Sequence, residues 1–389
     1  MDCTALSALP PQKQTVFKSD TLVYRIPALF YEGESKTLLA FAEERVNTND
    51  TSTKNLVMKM GKVKTEVPSS AMTIEWSELN PVEKAHIEGY RPMNPCPLFE
   101  KTSKTLFLFF ICVEGTVTEQ WQIDHYTNKT RLCYIKSTDL GQSWSDVTDL
   151  TDELHEIKSW ATFAVGPGHG IQTESGRLIV PVYAYMSCCS SCCLWCAACV
   201  KVIPYALTLY SDDSGDRWQF GPTLDNESLE CEMAEFINDK KTSIIYCNAR
   251  TRGGYRQEAV SSDASLIFKP SSAMQLVETG GGCQGSVVSF PAQNEGAESQ
   301  NPNKWLLYSH PSNQFNRIDL GIYLNKVQSD SRAWRKPWII NSGPSGYSDL
   351  AYIDDGCFVC LMERGKDKET EEIASAVFSY NEFKQGIRE

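Results

Sequence analysis

A chain of 389 residues, 41% hydrophobic and with nine tryptophans, can bury a large core, and it holds no apolar run as long as a membrane span. A net charge of −12 argues against nucleic acid as a partner and against a polybasic membrane anchor. An anionic ligand would have to be drawn by a local group of arginines acting against the global field.

Residues 1–16 read as an N-terminal tail. Met1–Leu6 has neither a basic n-region nor a long apolar stretch, so no signal peptide is expected. On that reading most of the 15 cysteines stay thiols, and the sequons at Asn49, Asn128 and Asn226 go unused. Two strands follow, Val23 to Tyr31 and Thr37 to Ala42, joined by a Gly-containing turn. Pro27 confines the first to an edge or an end and leaves Arg25 on stiff backbone. Asp50 sits on the polar loop 46–52, where it is either mobile enough to meet a substrate or simply solvated.

Arg91-Pro92-Met93-Asn94-Pro95-Cys96-Pro97 leads to the apolar strand Thr105 to Val113. The Gly-rich run from Val165 to Gly170 lacks the Lys-Ser/Thr ending and following helix of a phosphate loop, so His169 reads as a structural donor. After the strand Arg177 to Tyr185 comes a cysteine-rich loop, 186–200, with six cysteines between Cys188 and Cys199. Three readings stay open there: a zinc site, for which the pairs lie too close together; acylated thiols dipping into a membrane interface; and inert thiols. Further strands are expected at Ser243 to Cys247, Val287 to Phe290, Trp305 to Ser309 and Cys357 to Met362, with a polar surface loop at 292–304. No helical periodicity of any length stands out, and the class is all-β.

Ser137 to Trp144 and Ser211 to Trp218 share the pattern S-x-D-x-G-x-x-W, and Ser261 to Phe268 is a weaker third copy. Asp and Gly two apart favour a tight turn, and the Trp supplies a buried anchor. Such repeats among short strands point to a propeller. Three arginines, Arg25, Arg250 and Arg317, lie at strand ends in separate segments, and a ring of strands would gather them into a clamp for a carboxylate.

Tyr24-Arg25-Ile26-Pro27, the repeated Asp turns and the three spaced arginines, in that order, resemble the sialidase superfamily over nearly the whole chain. Met93 to Pro97, Ala164 to His169, Gly282 to Ser286 and Tyr347 to Leu350 resemble the animal intracellular and membrane-associated sialidases, and Leu108 to Val113 and Trp305 to Pro311 most resemble their plasma-membrane, ganglioside-cleaving branch. The resemblance implies one domain over 1–389, a six-bladed β-propeller of four-stranded antiparallel blades. It implies a retaining exo-α-sialidase that hydrolyses terminal sialic acid from gangliosides and other sialylated glycolipids and glycoproteins. The alternative is a sialoglycan-binding propeller without turnover.

Carried over residue by residue, the resemblance implies that Arg25, Arg250 and Arg317 hold the carboxylate and that Glu363 orients Arg25. Tyr347 would be the nucleophile, Glu230 its base and Asp50 the acid/base. Arg45 with Asn94 would face the N-acetyl side, and Glu119, Tyr183 and Tyr185 the glycerol chain. No cofactor or metal is required. The resemblance also implies membrane association, at the plasma membrane or endosomes, with peripheral contact through Cys188–Cys199; the alternative is the cytosol.

Overall fold

Short apolar runs punctuated by Gly, Pro, Asn and Asp fold into antiparallel strands in a computed structural model that describes residues 9–65, 72–189, 200–238, 242–262, 266–271, 275–293, 304–327 and 330–387. The first sheet orders Val23–Glu32, Thr37–Arg45, Thr53–Thr65 and Met72–Trp76. The second orders Tyr90–Glu100, Thr105–Glu114, Thr130–Ser137 and Thr148–Asp149. The third is built on Trp160–Val165, Leu178–Cys189 and Val200–Ser211, and the fourth on Cys231–Ile237, Ser243–Ala249 and Gln257–Ser261. Seven strands form the last sheet, in which the long strand Trp338–Tyr352 turns from one neighbour to another. Its first half pairs with Ile318–Asn325 and its second half with Cys357–Arg364.

Each sheet packs its apolar faces on the sheets before and after it. One layer joins the second and third sheets through Phe107, Phe109, Phe163 and Trp218; another joins the last sheet to the first through Leu361, Ile373, Leu29 and Leu38. The arrangement is propeller-like. Because both faces are covered, Thr37–Arg45 is buried at all nine positions instead of alternating.

The ring is closed by the chain's start. Lys13–Lys18 pairs antiparallel with Glu372–Ser379, so the expected tail becomes strand from Lys13 onward, its apolar Val16 and Phe17 being the reason it docks. Two short helices, Glu119–His125 and Tyr380–Ile387, also escaped the sequence reading, because two turns are too few to show a period. No helix among the described residues is long and apolar enough to cross a membrane. Residues 190–199 of the cysteine-rich loop, 294–303 of the polar loop and 263–265 of the third Asp turn lie outside the described residues.

The two clear Asp turns are built alike. Ser137 Oγ accepts from Gly141 N at 2.7 Å, and Asp139 accepts from Ser143 N at 2.8 Å. Ser211 Oγ accepts from Gly215 N at 2.9 Å, and Asp213 accepts from Arg217 N at 2.9 Å. Their tryptophans wedge between neighbouring sheets: Trp144 meets Phe41 of the first, and Trp218 meets Phe109 with ring centroids 4.8 Å apart.

At the axis, His169 joins separate sheets. Its Nδ1 lies 2.7 Å from Asp349 Oδ1 and 3.7 Å from Glu232 Oε2. Asp349 also accepts from Leu29 N (2.7 Å) and Ser286 Oγ (2.8 Å), and Glu232 accepts from Val287 N (3.0 Å) and Gln284 Nε2 (3.2 Å). Gly168 permits this approach: at φ 114° its Cβ would fall 1.7 Å from Glu232 Oε1. The three side chains offer ligand atoms within 4.8 Å of one another, but the carboxylates already accept those donors.

Burial alone would lower the His169 pKa; the Asp349 and Glu232 carboxylates prevail and raise it to about 9. A histidine bound more tightly to its proton in the fold stabilises fully below its unfolded pKa of about 6.5 and loses that contribution as pH rises through the folded value. Urea unfolding should therefore show stability falling between about pH 6.5 and about 9, and His169→Gln should flatten that slope.

Candidate active site

Inner strands bulge where side chains must turn toward the axis. The register slips between Arg25 and Ala28, with Ile26 at φ 60°, and between Met93 and Cys96, with Asn94 at φ 57°. Positive φ at a β-branched residue is strained, and it is held here by a buried carboxylate: Ile26 N donates to Glu363 Oε1 at 2.9 Å. The same Glu363 takes a two-pronged grip from Arg25, Nε to Oε1 at 2.9 Å and Nη2 to Oε2 at 3.1 Å, and accepts from Tyr347 N at 3.1 Å. Burial would raise the Glu363 pKa, but the Arg25 charge and these donors lower it, so it stays a carboxylate.

A cleft of about 650 Å³ opens at this end of the axis. Of the twelve residues picked out from the sequence, ten line it: Arg25, Arg45, Asp50, Asn94, Glu119, Tyr183, Glu230, Arg250, Arg317 and Tyr347. Glu363 lies behind Arg25 with its side chain wholly buried. Tyr185 is buried beside Tyr183, ring centroids 6.2 Å apart, and does not line the cleft.

Tyr347 occupies the floor. Its hydroxyl donates to Glu230 and accepts from Arg250 Nη1 at 3.0 Å, while Arg250 Nη1 also reaches Glu230 Oε2 at 2.6 Å. The guanidinium carbons of Arg25 and Arg317 lie 5.7 and 5.4 Å from the Tyr347 ring centroid. Burial first, and the Glu230 charge second, push the Tyr347 pKa well above the ordinary phenol value, so the resting side chain is neutral.

Asp50 begins a single 3₁₀ turn, Asp50–Ser52, and its side chain is 70% exposed. Buried Arg45 donates to it at 2.5 Å and grips Glu43 through Nε at 2.8 Å and Nη2 at 2.6 Å. Glu119, first residue of its helix, accepts from Tyr183 Oη at 3.2 Å. It is open to the cleft but enclosed by its walls; that enclosure, followed by the nearby Glu230 charge, raises its carboxyl to about 7, against solvent screening through the mouth.

Sequence reading missed two residues here. Glu43 ties Arg45 to the second sheet by accepting Asn94 N at 2.7 Å; the signal was its spacing, two residues before Arg45 on one strand face. Arg91 lines the cleft and donates to Gly115 O and Val117 O, both at 2.5 Å, bracing the loop ahead of Glu119.

A family model described as a BNR repeat-like domain matches residues 36–360. Sialidase-3 of Rattus norvegicus is 41% identical, covering 98% of this chain and 96% of its own length. Sialidase-3 of Bos taurus is 43% identical over 93% and 90% of the two chains, and Sialidase-2 of Mus musculus 39% over 92% and 93%. Among solved structures, a Hadza microbial sialidase superposes with a TM-score of 0.72 at 19% identity, covering 93% of this chain and 66% of that one. An intramolecular trans-sialidase from Ruminococcus gnavus superposes at 0.69 with 17% identity, 98% of each chain being covered.

Removing the Glu43 charge should leave buried Arg45 with only the largely exposed Asp50 carboxylate to balance it. Glu43→Gln is expected to cost about 3–5 kcal/mol of unfolding free energy in a urea titration.

Proposed function

The chain belongs to the sialidase family, and from that premise we propose that it is a retaining exo-α-sialidase working through a tyrosine nucleophile. One observation carries the proposal: the Tyr347 hydroxyl donates to Glu230 on a floor flanked by Arg25, Arg250 and Arg317. The three guanidiniums hold the sialic acid carboxylate, and that carboxylate sets the choice of nucleophile. The anomeric carbon already carries a negative group, so a neutral phenol can approach it where an anionic Asp or Glu would be repelled.

In the first step Glu230 takes the phenol proton as the Tyr347 oxygen bonds to the anomeric carbon. The glycosidic C–O bond breaks, and Asp50 protonates the departing oxygen. In the second step Asp50 draws a proton from water, the water oxygen displaces Tyr347, and Glu230 returns the proton to the phenolate. Two displacements give retention. Asp50, parked on Arg45 in this conformation, reaches the leaving oxygen by a swing of its loop. Because protonating the departing oxygen requires a proton on the acid, an acidic pH optimum is expected. Arg45 and Asn94 face the N-acetyl side, and Glu119 and Tyr183 the glycerol chain.

Six blades of four strands is the architecture we favour. It is supported by the seven-stranded sheet dividing at Trp338–Tyr352 into two groups of four. Residues 1–389 then form one domain. The substrates proposed are gangliosides and other sialylated glycoconjugates, on the likeness to relatives named Sialidase-3. Peripheral membrane contact through acylated cysteines of 188–199 rests on the sequence of that loop and on the resemblance.

Tyr347→Phe should cut turnover of a fluorogenic sialoside by at least ~10³-fold with the unfolding midpoint unchanged. Near-normal turnover would sink the mechanism, and retained glycan binding without any wild-type turnover would favour a lectin-like module. Asp50→Asn should cost about 10²–10⁴-fold on a natural sialoside and far less on one with a good phenolic leaving group. Hydroxylamine, which cleaves thioesters, should move the protein from membranes to the soluble fraction; no shift and no acyl label on the loop would refute the membrane contact.

A further inference from the structure

The glycine turn at 280–283 puts no functional side chain into the cleft, yet it holds two of the three arginines. Arg250 Nη2 donates to Gly281 O at 2.8 Å, and Arg317 Nη2 donates to Gly282 O at 2.8 Å. A Cβ on Gly282 would lie 2.1 Å from Thr251 O and 2.6 Å from Arg250 Nε, at φ 78°, so the turn can approach Arg250 this closely only as glycine.

A buried charge cluster fixes the turn from beneath. Glu278 Oε1 accepts from Thr279 N at 2.9 Å and from Cys283 N at 3.1 Å. Its Oε2 accepts from Thr251 N, the residue after Arg250, at 3.1 Å and from Arg256 Nη1 at 2.7 Å. Arg256 returns to the same turn by donating to Cys283 O at 2.5 Å and is steadied by Asn248 Oδ1 at 2.8 Å. His310 Nε2 lies 3.0 Å from Glu278 Oε1, without the alignment of a hydrogen bond. One carboxylate thus clasps the backbone that follows Arg250 and both ends of the turn on which Arg250 and Arg317 rest.

Stability alone is a poor account of this cluster. A buried ion pair adds little net stability over apolar residues of the same volume, and polar atoms around this one go unpartnered: Arg256 Nη2, Thr279 Oγ1, Tyr308 Oη and Arg250 Nε. What a carboxylate gives, and an apolar side chain does not, is direction to several N–H groups at once.

We propose that Glu278, held by Arg256, is a positioning residue for the carboxylate clamp, aiming Arg250 and Arg317 through the 280–283 turn. The proposal rests on the reading of the three arginines as that clamp.

The test measures inhibition of the full chain by a 2,3-unsaturated sialic acid and by its methyl ester, which lacks the negative charge. Wild-type protein should prefer the acid. In Glu278→Gln that preference should shrink by at least ~10-fold, and Arg256→Lys should shrink it less. A lowered unfolding midpoint with the acid-to-ester ratio unchanged would overturn the proposal. Failure of both variants to fold would overturn it too, since the cluster would then serve the fold itself. Arg317→Ala is the control: if it leaves the ratio unchanged, the clamp reading fails; if only Glu278→Gln leaves it unchanged, the positioning role alone fails.

Discussion

Buried carboxylates that grip arginines are the constraint on which the rest of this structure depends. Five arginines line one cleft of a chain whose net charge is negative, and their mutual repulsion has to be balanced from behind. Glu363 balances Arg25, Glu43 balances Arg45 and Glu230 balances Arg250. None of these carboxylates serves its arginine alone. Glu363 also holds the strained Ile26 backbone and the Tyr347 backbone, and Glu43 also holds Asn94 N. Glu363 and Glu43 therefore each hold backbone of a sheet other than their own, and Glu230 holds the Tyr347 hydroxyl, which is why the site and the ring are built by the same groups.

The division of labour across the fold follows from radius. The Asp turns bind their own backbone and sink a Trp between neighbouring sheets, so they act on sheet-to-sheet packing. Toward the axis, apolar filling gives way to polar groups. His169 joins three sheets through a hydrogen bond to Asp349 and a longer ion pair with Glu232, where Gly168 leaves room for that carboxylate. The cleft is the open end of that polar axis. Arg25, Arg45, Asn94 and Tyr347 sit on strand backbone at or beside bulges, which keeps them fixed; Asp50 sits on a short 3₁₀ turn and is largely exposed.

Much of this was legible in the chain. The all-β class followed from short apolar runs between turn residues, and the Asp turns marked the repeat because their hydrogen bonds are local. Arg25, Arg250 and Arg317 are marked by their place at strand ends, and Tyr347, Glu230 and Asp50 by the family resemblance; the structure gathers all six into one cleft. Tyr185, implied by the resemblance together with Tyr183, is buried beside it and does not line the cleft. Glu278 and Arg256 left no mark, since a buried ion pair 22 residues apart carries no spacing signal. The strand at Lys13–Lys18 read as tail because its partner lies at the far end of the chain.

The sequence by itself determined what is encoded within a few residues: strand and turn chemistry, glycines where φ must be positive, and prolines that force bulges. Tertiary structure alone decided which charges meet. Arg25 and Glu363 are 338 positions apart and Glu230 and Tyr347 are 117 apart, yet each pair shares a hydrogen bond. Local energetics act over one or two turns of chain, whereas closing the ring, driven by burial of the apolar layers between sheets, brings distant strand ends to one axis. That closure sets the directions of the arginines and the contact between Tyr347 and Glu230.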